Sequence, residues 1–88
     1  SRGVLVEREV PIPVVFKGQH MDCGFRADLL VANEVLCEVK SVDRLLPVHT
    51  AQVLTYLRLS QASQALLINF NSATLLAGLK SYLRPGTM

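Results

Sequence analysis

Residues 25–40 read Phe-Arg-Ala-Asp-Leu-Leu-Val-Ala-Asn-Glu-Val-Leu-Cys-Glu-Val-Lys, and this stretch decides the fold. Two aliphatic and β-branched runs are separated by Ala32, Asn33 and Glu34, and asparagine is a typical turn residue. Such runs on either side of a turn predict an antiparallel hairpin. If Asn33 is its centre, residues whose numbers add up to 66 lie opposite each other, so Asp28 faces Glu38.

The predicted register separates a charged face from an apolar face. Because side chains alternate along a strand, Asp28, Glu38 and Lys40 share one face. Like charges directly opposite each other, with Cβ atoms ~4.5–5.5 Å apart, repel. A divalent cation between the two carboxylates would remove that repulsion, and Lys40 would neutralise it in part. The other face is purely apolar, so we predict that it lies on the core: Phe25, Ala27, Leu29, Val31, Val35, Cys37 and Val39.

A simpler interpretation of the charged face is a solvated ladder of ion pairs that includes Arg26 and Lys40. Ladders of this kind contribute little to stability. Two observations count against it: the acidic pair lies among apolar neighbours, and Leu30 and Leu36 on the same face indicate partial cover. Perturbed carboxylates mark functional sites only on average, so spacing alone leaves both interpretations open.

Length and composition favour one compact domain. A chain of 88 residues buries somewhat over ~60% of its unfolded surface, enough for a single core. Half of the residues are hydrophobic and 18% are charged, which argues against disorder. No apolar run is long enough for a membrane span or a signal peptide, so we expect a soluble, cytoplasmic protein with no membrane partner. The formal net charge of +2 leaves the partner open.

The remaining periodicity predicts a mixed α/β (α+β) domain. Residues 4–16 alternate as a strand, with an edge position or bulge at the prolines Pro11 and Pro13, and the chain returns through residues 20–31. Pro47 starts a predicted helix that continues to residue 61, and residues 65–70 read as a buried strand. The expected order is β-β-β-α-β around a central mixed four-stranded sheet. A short helix or strand follows, with residues 79–83 compatible with either.

Gln52 and Tyr56 are the polar exception to the apolar stripe of the predicted helix. They are four residues apart, so they lie on one face with roughly 5–6 Å between their Cβ atoms. An amide and a hydroxyl are suited to gripping a phosphate oxygen or orienting a water molecule. Taken alone, the pair fits an ordinary amphipathic helix better than a functional site.

Together, Asp28, Glu38-Val39-Lys40 and Gln52-x-x-x-Tyr56 resemble the PD-(D/E)XK nuclease superfamily, in its RecB-like branch with a Gln-x-x-x-Tyr helix. The resemblance is closer still to the GxxExxY family of small prokaryotic proteins. It covers nearly the whole chain, and its most similar runs are residues 10–14, 24–31, 38–40, 46–49, 51–59 and 66–71.

The resemblance implies a single PD-(D/E)XK nuclease-like domain over residues 1–88, with a restriction-endonuclease-like core. It implies a prokaryotic, metal-dependent nuclease that hydrolyses nucleic acid, with DNA favoured over RNA. Mg²⁺ or Mn²⁺ would be held by Asp28, Glu38 and the Val39 carbonyl, and Lys40 would orient the attacking water or stabilise developing charge. The nucleic acid would be positioned by four further residues: Gln52, Tyr56, Arg26 and Arg58.

One departure from the GxxExxY pattern matters. Members of that family usually begin with a helix that carries a Gly-x-x-Glu motif, whereas this chain starts at what would be the following strand. Gly3 and Glu7 do not replace the motif, because Glu7 lies in an alternating strand. We therefore expect a domain shortened at its N-terminus, or a homo-oligomer in which a partner subunit supplies the helix. The departure also leaves open a non-catalytic nucleic-acid-binding or assembly module that retains the fold.

Overall fold

The computed structural model describes residues 3–85 and gives a mixed α+β architecture consistent with a restriction-endonuclease-like fold. Five strands form one mixed sheet in the order β1, β4, β5, β6, β7, and β2 and β3 form a separate two-stranded sheet. The elements are β1 (Val6–Pro11), β2 (Val14–Phe16), β3 (Gln19–Met21), β4 (Arg26–Val31), β5 (Val35–Lys40), helix α1 (Pro47–Leu59), β6 (Gln64–Asn69), a 3-10 turn (Leu76–Gly78) and β7 (Leu79–Leu83).

The hairpin of β4 and β5 has the predicted register. Leu30 lies opposite Leu36, and the other registered pairs also add up to 66. Ala32 and Asn33 both have positive φ, at 54° and 59°, and the Glu34 N–H donates to the Val31 carbonyl at 2.9 Å. Two consecutive left-handed residues form the turn whose twist matches that of paired strands. The turn therefore sets which side chains of the two strands lie opposite each other.

The main sheet has one strand more than the four that the sequence predicts. Residues 79–83 were compatible with helix or strand, and they form β7, antiparallel to β6. The long first strand is divided into β1 and β2 at the predicted irregularity, since Pro11 ends β1 and Val14 begins β2. Helix α1 connects β5 to β6, which pair in parallel as the crossover pattern indicates.

The prediction for the core face of the hairpin is wrong for its central part. Leu36 is fully buried and belongs to one cluster with Leu67 of β6 and Val53 of α1, so the helix covers the charged face. Of the side chains predicted to face the core, Ala27 belongs to this same cluster and Cys37 is buried, but four others are only half-buried: Leu29, Val31, Val35 and Val39. A period-two pattern shows that two faces differ but not which one a crossover helix will cover. The consequence is that the acidic pair lies under the helix rather than in solvent.

Side-chain hydrogen bonds hold both ends of α1. At its start, the Leu46 N–H donates to His49 Nδ1 at 2.9 Å. At its end, the Arg84 guanidinium donates to the carbonyls of Leu57, at 2.6 Å, Ser60 and, through Nε at 2.7 Å, Ala62. The last carbonyls of a helix lack partners within the helix, and a cation there also favours the helix dipole. Arg84 thus fixes the end of the helix against β7.

Candidate active site

The backbone ladder of the hairpin gives way to carboxylate contacts at Asp28 and Glu38. The registered pairs run from the turn to Leu29, which lies opposite Cys37. At the next position the Asp28 N–H donates to Glu38 Oε2 at 2.8 Å, and the Val39 N–H donates to Asp28 Oδ2 at 2.7 Å. Each carboxylate therefore uses one oxygen to bind the opposite strand, which leaves Asp28 Oδ1 and Glu38 Oε1 for other contacts.

The strand on the other side of Asp28 is also irregular at this level. Registered pairs Arg8–Leu29 and Val10–Ala27 flank the position, where Glu9 has a φ of 50°. Residues other than glycine rarely adopt this left-handed conformation. Both neighbours of β4 thus depart from a regular ladder where Asp28 lies, and the sheet makes room there for side chains.

Glu38 is a buried carboxylate with 2% of its surface exposed. Burial raises its pKa, because the charged form loses hydration, and the nearby Asp28 carboxylate raises it further. The hydrogen bond from the Asp28 N–H and the charge of Lys40 act in the opposite direction. Lys40 Nζ lies 3.9 Å from Glu38 Oε1, so the carboxylate has a cation nearby but no close ion pair. Negative charge therefore exceeds positive charge at the site, which favours the binding of an additional cation.

Gln52 and Tyr56 reach this cluster from the helix. Lys40 Nζ donates to Gln52 Oε1 at 2.8 Å, and Gln52 Nε2 donates to the Tyr56 hydroxyl at 3.3 Å. The i, i+4 spacing places both side chains on one face of α1, as the sequence predicts, and in the structure this face packs on the sheet. The amide of Gln52 is committed at both ends, so in this conformation it holds Lys40 rather than an external phosphate. Tyr56 is itself buried in the core cluster.

The donor atoms at the site fit a hard divalent cation. One oxygen each of Asp28 and Glu38 accepts no backbone hydrogen bond of the opposite strand, and carboxylate oxygen is the ligand that Mg²⁺ and Mn²⁺ prefer. Within residues 3–85 no group of three or more His, Cys, Asp or Glu side chains is placed to hold a metal. Two carboxylates suffice for Mg²⁺, which keeps several of its own waters.

Comparison with known protein families matches residues 1–81 to the PD-(D/E)XK nuclease superfamily. The chain belongs to this superfamily. Its members are generally nucleases that act on nucleic acid and typically use divalent metals. Comparison with curated proteins and with solved structures finds no match. In the described part of this PD-(D/E)XK chain, no helix is long and apolar enough to cross a membrane.

The two arginines predicted to position nucleic acid lie outside the hydrogen-bonded cluster. Arg26 begins β4 and forms an exposed ion pair with Asp22 at 3.1 Å, which lowers the pKa of that carboxyl. Arg58 is exposed in the last turn of α1, six residues after Gln52 and therefore on a different face of the helix. Their contact with nucleic acid stays a prediction.

The sequence interpretation missed the role of Asn69 beside the site. Asn69 lies opposite Lys40 in the parallel register and is 3% exposed. Its Oδ1 accepts from the Val42 N–H at 3.1 Å and the Asn71 N–H at 3.2 Å, and its Nδ2 donates to the Val42 carbonyl at 2.9 Å. It thereby ties the link between β5 and α1 to β6. The only signal in the sequence was an amide inside the otherwise apolar run 65–70.

Proposed function

We propose that this PD-(D/E)XK chain is a metal-dependent nuclease that hydrolyses phosphodiester bonds, with DNA as its substrate. The observation that carries the proposal is the convergence of Asp28, Glu38 and Lys40 where the registered pairs of the hairpin end. Glu38 is buried beside a second carboxylate, and its pKa is raised. Burying such a charge costs free energy that a solvated ladder of ion pairs on the surface would not incur. A catalytic metal site uses all three groups.

Asp28 and Glu38, with the Val39 carbonyl, would hold Mg²⁺ or Mn²⁺ in this proposal. The bound cation supplies positive charge that polarises the phosphodiester and lowers the pKa of the attacking water. Its binding also offsets the repulsion between the two carboxylates and the burial of Glu38. Two neighbouring carboxylates with too little positive charge around them thus favour the binding of a divalent cation.

Lys40 is the group that would meet the reacting phosphate. Gln52 Oε1 accepts a hydrogen bond from the Lys40 ammonium at 2.8 Å and holds it near Glu38, so two N–H donors remain for substrate. A positioned ammonium stabilises the charge that develops on the phosphoryl oxygens and can orient the attacking water. Gln52 and Tyr56 would act on the reaction by holding Lys40, and Arg26 and Arg58 by contacting the backbone of the nucleic acid.

The finer placement in the GxxExxY family belongs to the same proposal, and so does self-association of the chain. The sheet face away from α1 supports self-association, since it carries half-exposed aliphatic side chains: Leu29, Val31, Val35 and Val39. Sedimentation velocity over a range of protein concentrations tests it. If the protein is monomeric at all concentrations, the proposal of self-association is refuted and the nuclease proposal is unaffected.

The nuclease proposal is tested by cleavage of plasmid, linear duplex and single-stranded DNA in Mg²⁺ or Mn²⁺. We expect Asp28→Asn and Lys40→Met each to reduce the rate by about 100-fold or more, the loss typical of a charged group that stabilises the transition state. Glu34→Gln and Lys80→Met are the matched controls, because both residues are exposed and outside the cluster. They should retain the rate of the parent chain.

Two results decide against the proposal. Cleavage that persists in both Asp28→Asn and Lys40→Met would show that these residues do not catalyse it. A parent chain that binds nucleic acid but cuts no substrate would instead support the non-catalytic binding or assembly module. Titration calorimetry with Mn²⁺ on the parent chain and on Glu38→Gln then reports whether the acidic pair still binds metal.

A further inference from the structure

A shallow depression lies next to the Lys40 cluster, on the far side of the Gln52 side chain. It has a volume of about 260 Å³, and six described residues line it: Phe25, Val48, Ala51, Gln52, Thr55 and Tyr56. Gln52 forms part of this wall while its Oε1 accepts from Lys40 Nζ at 2.8 Å. The depression and the proposed catalytic cluster are therefore separated by a single side chain.

The depression is lined by aromatic, aliphatic and amide or hydroxyl side chains, and none of the six is Asp, Glu, Lys, Arg or His. Phe25 is half-buried, with its ring centroid 5.5 Å from that of Tyr56 at an interplanar angle of 43°, so part of the ring remains accessible. Val48 is 64% exposed and Ala51 is exposed, which leaves the opposite wall open to solvent. Such a surface suits a flat, neutral ring and offers no attraction to a phosphate.

We propose that this depression binds an unpaired nucleobase next to the phosphodiester held at Lys40, with the base stacked on Phe25. The inference rests on the proposed function and adds a subsite to it. A base and its neighbouring phosphate are separated by one sugar, so a phosphate at Lys40 brings a flanking base to the far side of Gln52. Every base has a π-face, and stacking on an aromatic side chain is largely independent of sequence.

The subsite also defines the class of substrate. A base inside a duplex is already paired and stacked, and its transfer to a protein pocket has a cost that is smallest when the base is single-stranded. Single strands and frayed ends would therefore bind better than continuous duplex. The stacking interaction is shared by DNA and RNA, and the 2′-hydroxyl is what distinguishes them.

Binding is measured in EDTA, so that no cleavage is needed, with short oligonucleotides that carry the fluorescent base 2-aminopurine. We expect its emission to be quenched on binding as a single-stranded oligodeoxynucleotide and not when it is paired within a duplex. Ala51→Leu places a larger side chain in the depression, and Phe25→Leu removes the ring. Each should weaken single-strand binding by about 5- to 150-fold, the range for one stacked base.

Two matched controls carry the same changes outside the depression. Ala73→Leu and Phe16→Leu alter exposed residues and should bind like the parent chain. Phe25 also packs against the core, so Phe25→Leu is first checked for folding by circular dichroism. Ala51→Leu removes no core contact and tests the subsite even if Phe25→Leu does not fold. An oligoribonucleotide of the same sequence distinguishes the two sources of the base.

The outcomes separate the subsite from the nuclease activity. Equal binding by the parent chain and Ala51→Leu overturns the subsite, and so does the absence of single-strand binding by the parent. If the parent chain cuts DNA in Mg²⁺ while neither variant changes binding or cleavage, the nuclease stands and the subsite falls. Quenching that depends on Phe25 and Ala51 in a chain that cuts nothing supports the subsite and refutes the nuclease.

Discussion

Replacement of Asn69 by alanine removes the side chain that ties the link after Lys40 to β6. Its three side-chain hydrogen bonds are lost, and the N–H groups of Val42 and Asn71 lose their acceptor. The Val42 carbonyl keeps one bond, from Asn71 Nδ2 at 3.2 Å. At about 0.5–1.5 kcal/mol for each bond, we expect the free energy of unfolding to fall by about 1.5–4.5 kcal/mol. A domain of 88 residues has roughly 4–13 kcal/mol in total.

Urea unfolding measures this loss, with Asn71→Ala as the matched control. The Asn71 side chain donates a single exposed hydrogen bond to the same carbonyl, so its removal should change the free energy of unfolding by about 0.5 kcal/mol or less. Equal effects of the two substitutions would refute the assignment of the clamp to Asn69. A loss of less than about 0.5 kcal/mol in Asn69→Ala would refute it as well.

The same variant tests whether the clamp positions Lys40. Val42 follows Lys40 by two residues, so a loosened link should weaken the hydrogen bond between Lys40 and Gln52. The chain contains three lysines, Lys17, Lys40 and Lys80, so spectra of ¹³C-labelled lysine are simple to assign. We expect the Lys40 side-chain signal to move towards those of the other two in Asn69→Ala but not in Asn71→Ala. An unchanged Lys40 signal in a destabilised, folded variant would show a purely structural role.

Two further predictions concern stability. Arg84→Met removes the donor to three carbonyls at the end of α1, and we expect the free energy of unfolding in urea to fall by about 2–4 kcal/mol. The control Arg58→Met, on the exposed face of the helix, should have almost no effect, and equal effects of the two substitutions would refute the role of Arg84 as a cap. Glu38 has a raised pKa in the folded state, so the folded chain holds its proton more tightly than the unfolded chain. In EDTA its contribution should therefore decline as pH rises from 4.5, the ordinary pKa of glutamate, through the raised value. Glu38→Gln should lack this decline and be the more stable form at neutral pH; a parent chain that gains stability relative to Glu38→Gln over that range would contradict the burial of an unbalanced charge.

Local sequence is sufficient for the hairpin and for the face of the helix. The turn at Ala32 and Asn33 fixes the pairing of β4 with β5 through two left-handed residues, and this pairing brings Asp28 next to Glu38. The spacing of Gln52 and Tyr56 likewise follows from the helical repeat. Both features depend on residues that are neighbours along the chain, and the Asp-Glu-x-Lys pattern with this helix was enough to indicate the superfamily.

Contacts between distant segments were decided by the tertiary structure. The path of the crossover decides that α1 packs over the face of β5 that carries Glu38. This packing buries Glu38 and raises its pKa. The fifth strand, the Asn69 clamp and the Arg84 cap join residues far apart in the chain, and no local periodicity encodes such pairings. The sequence alone determined which groups lie together on the hairpin. The fold decided that they meet Gln52 in a buried setting, because burial depends on what packs above a strand and not on the strand itself.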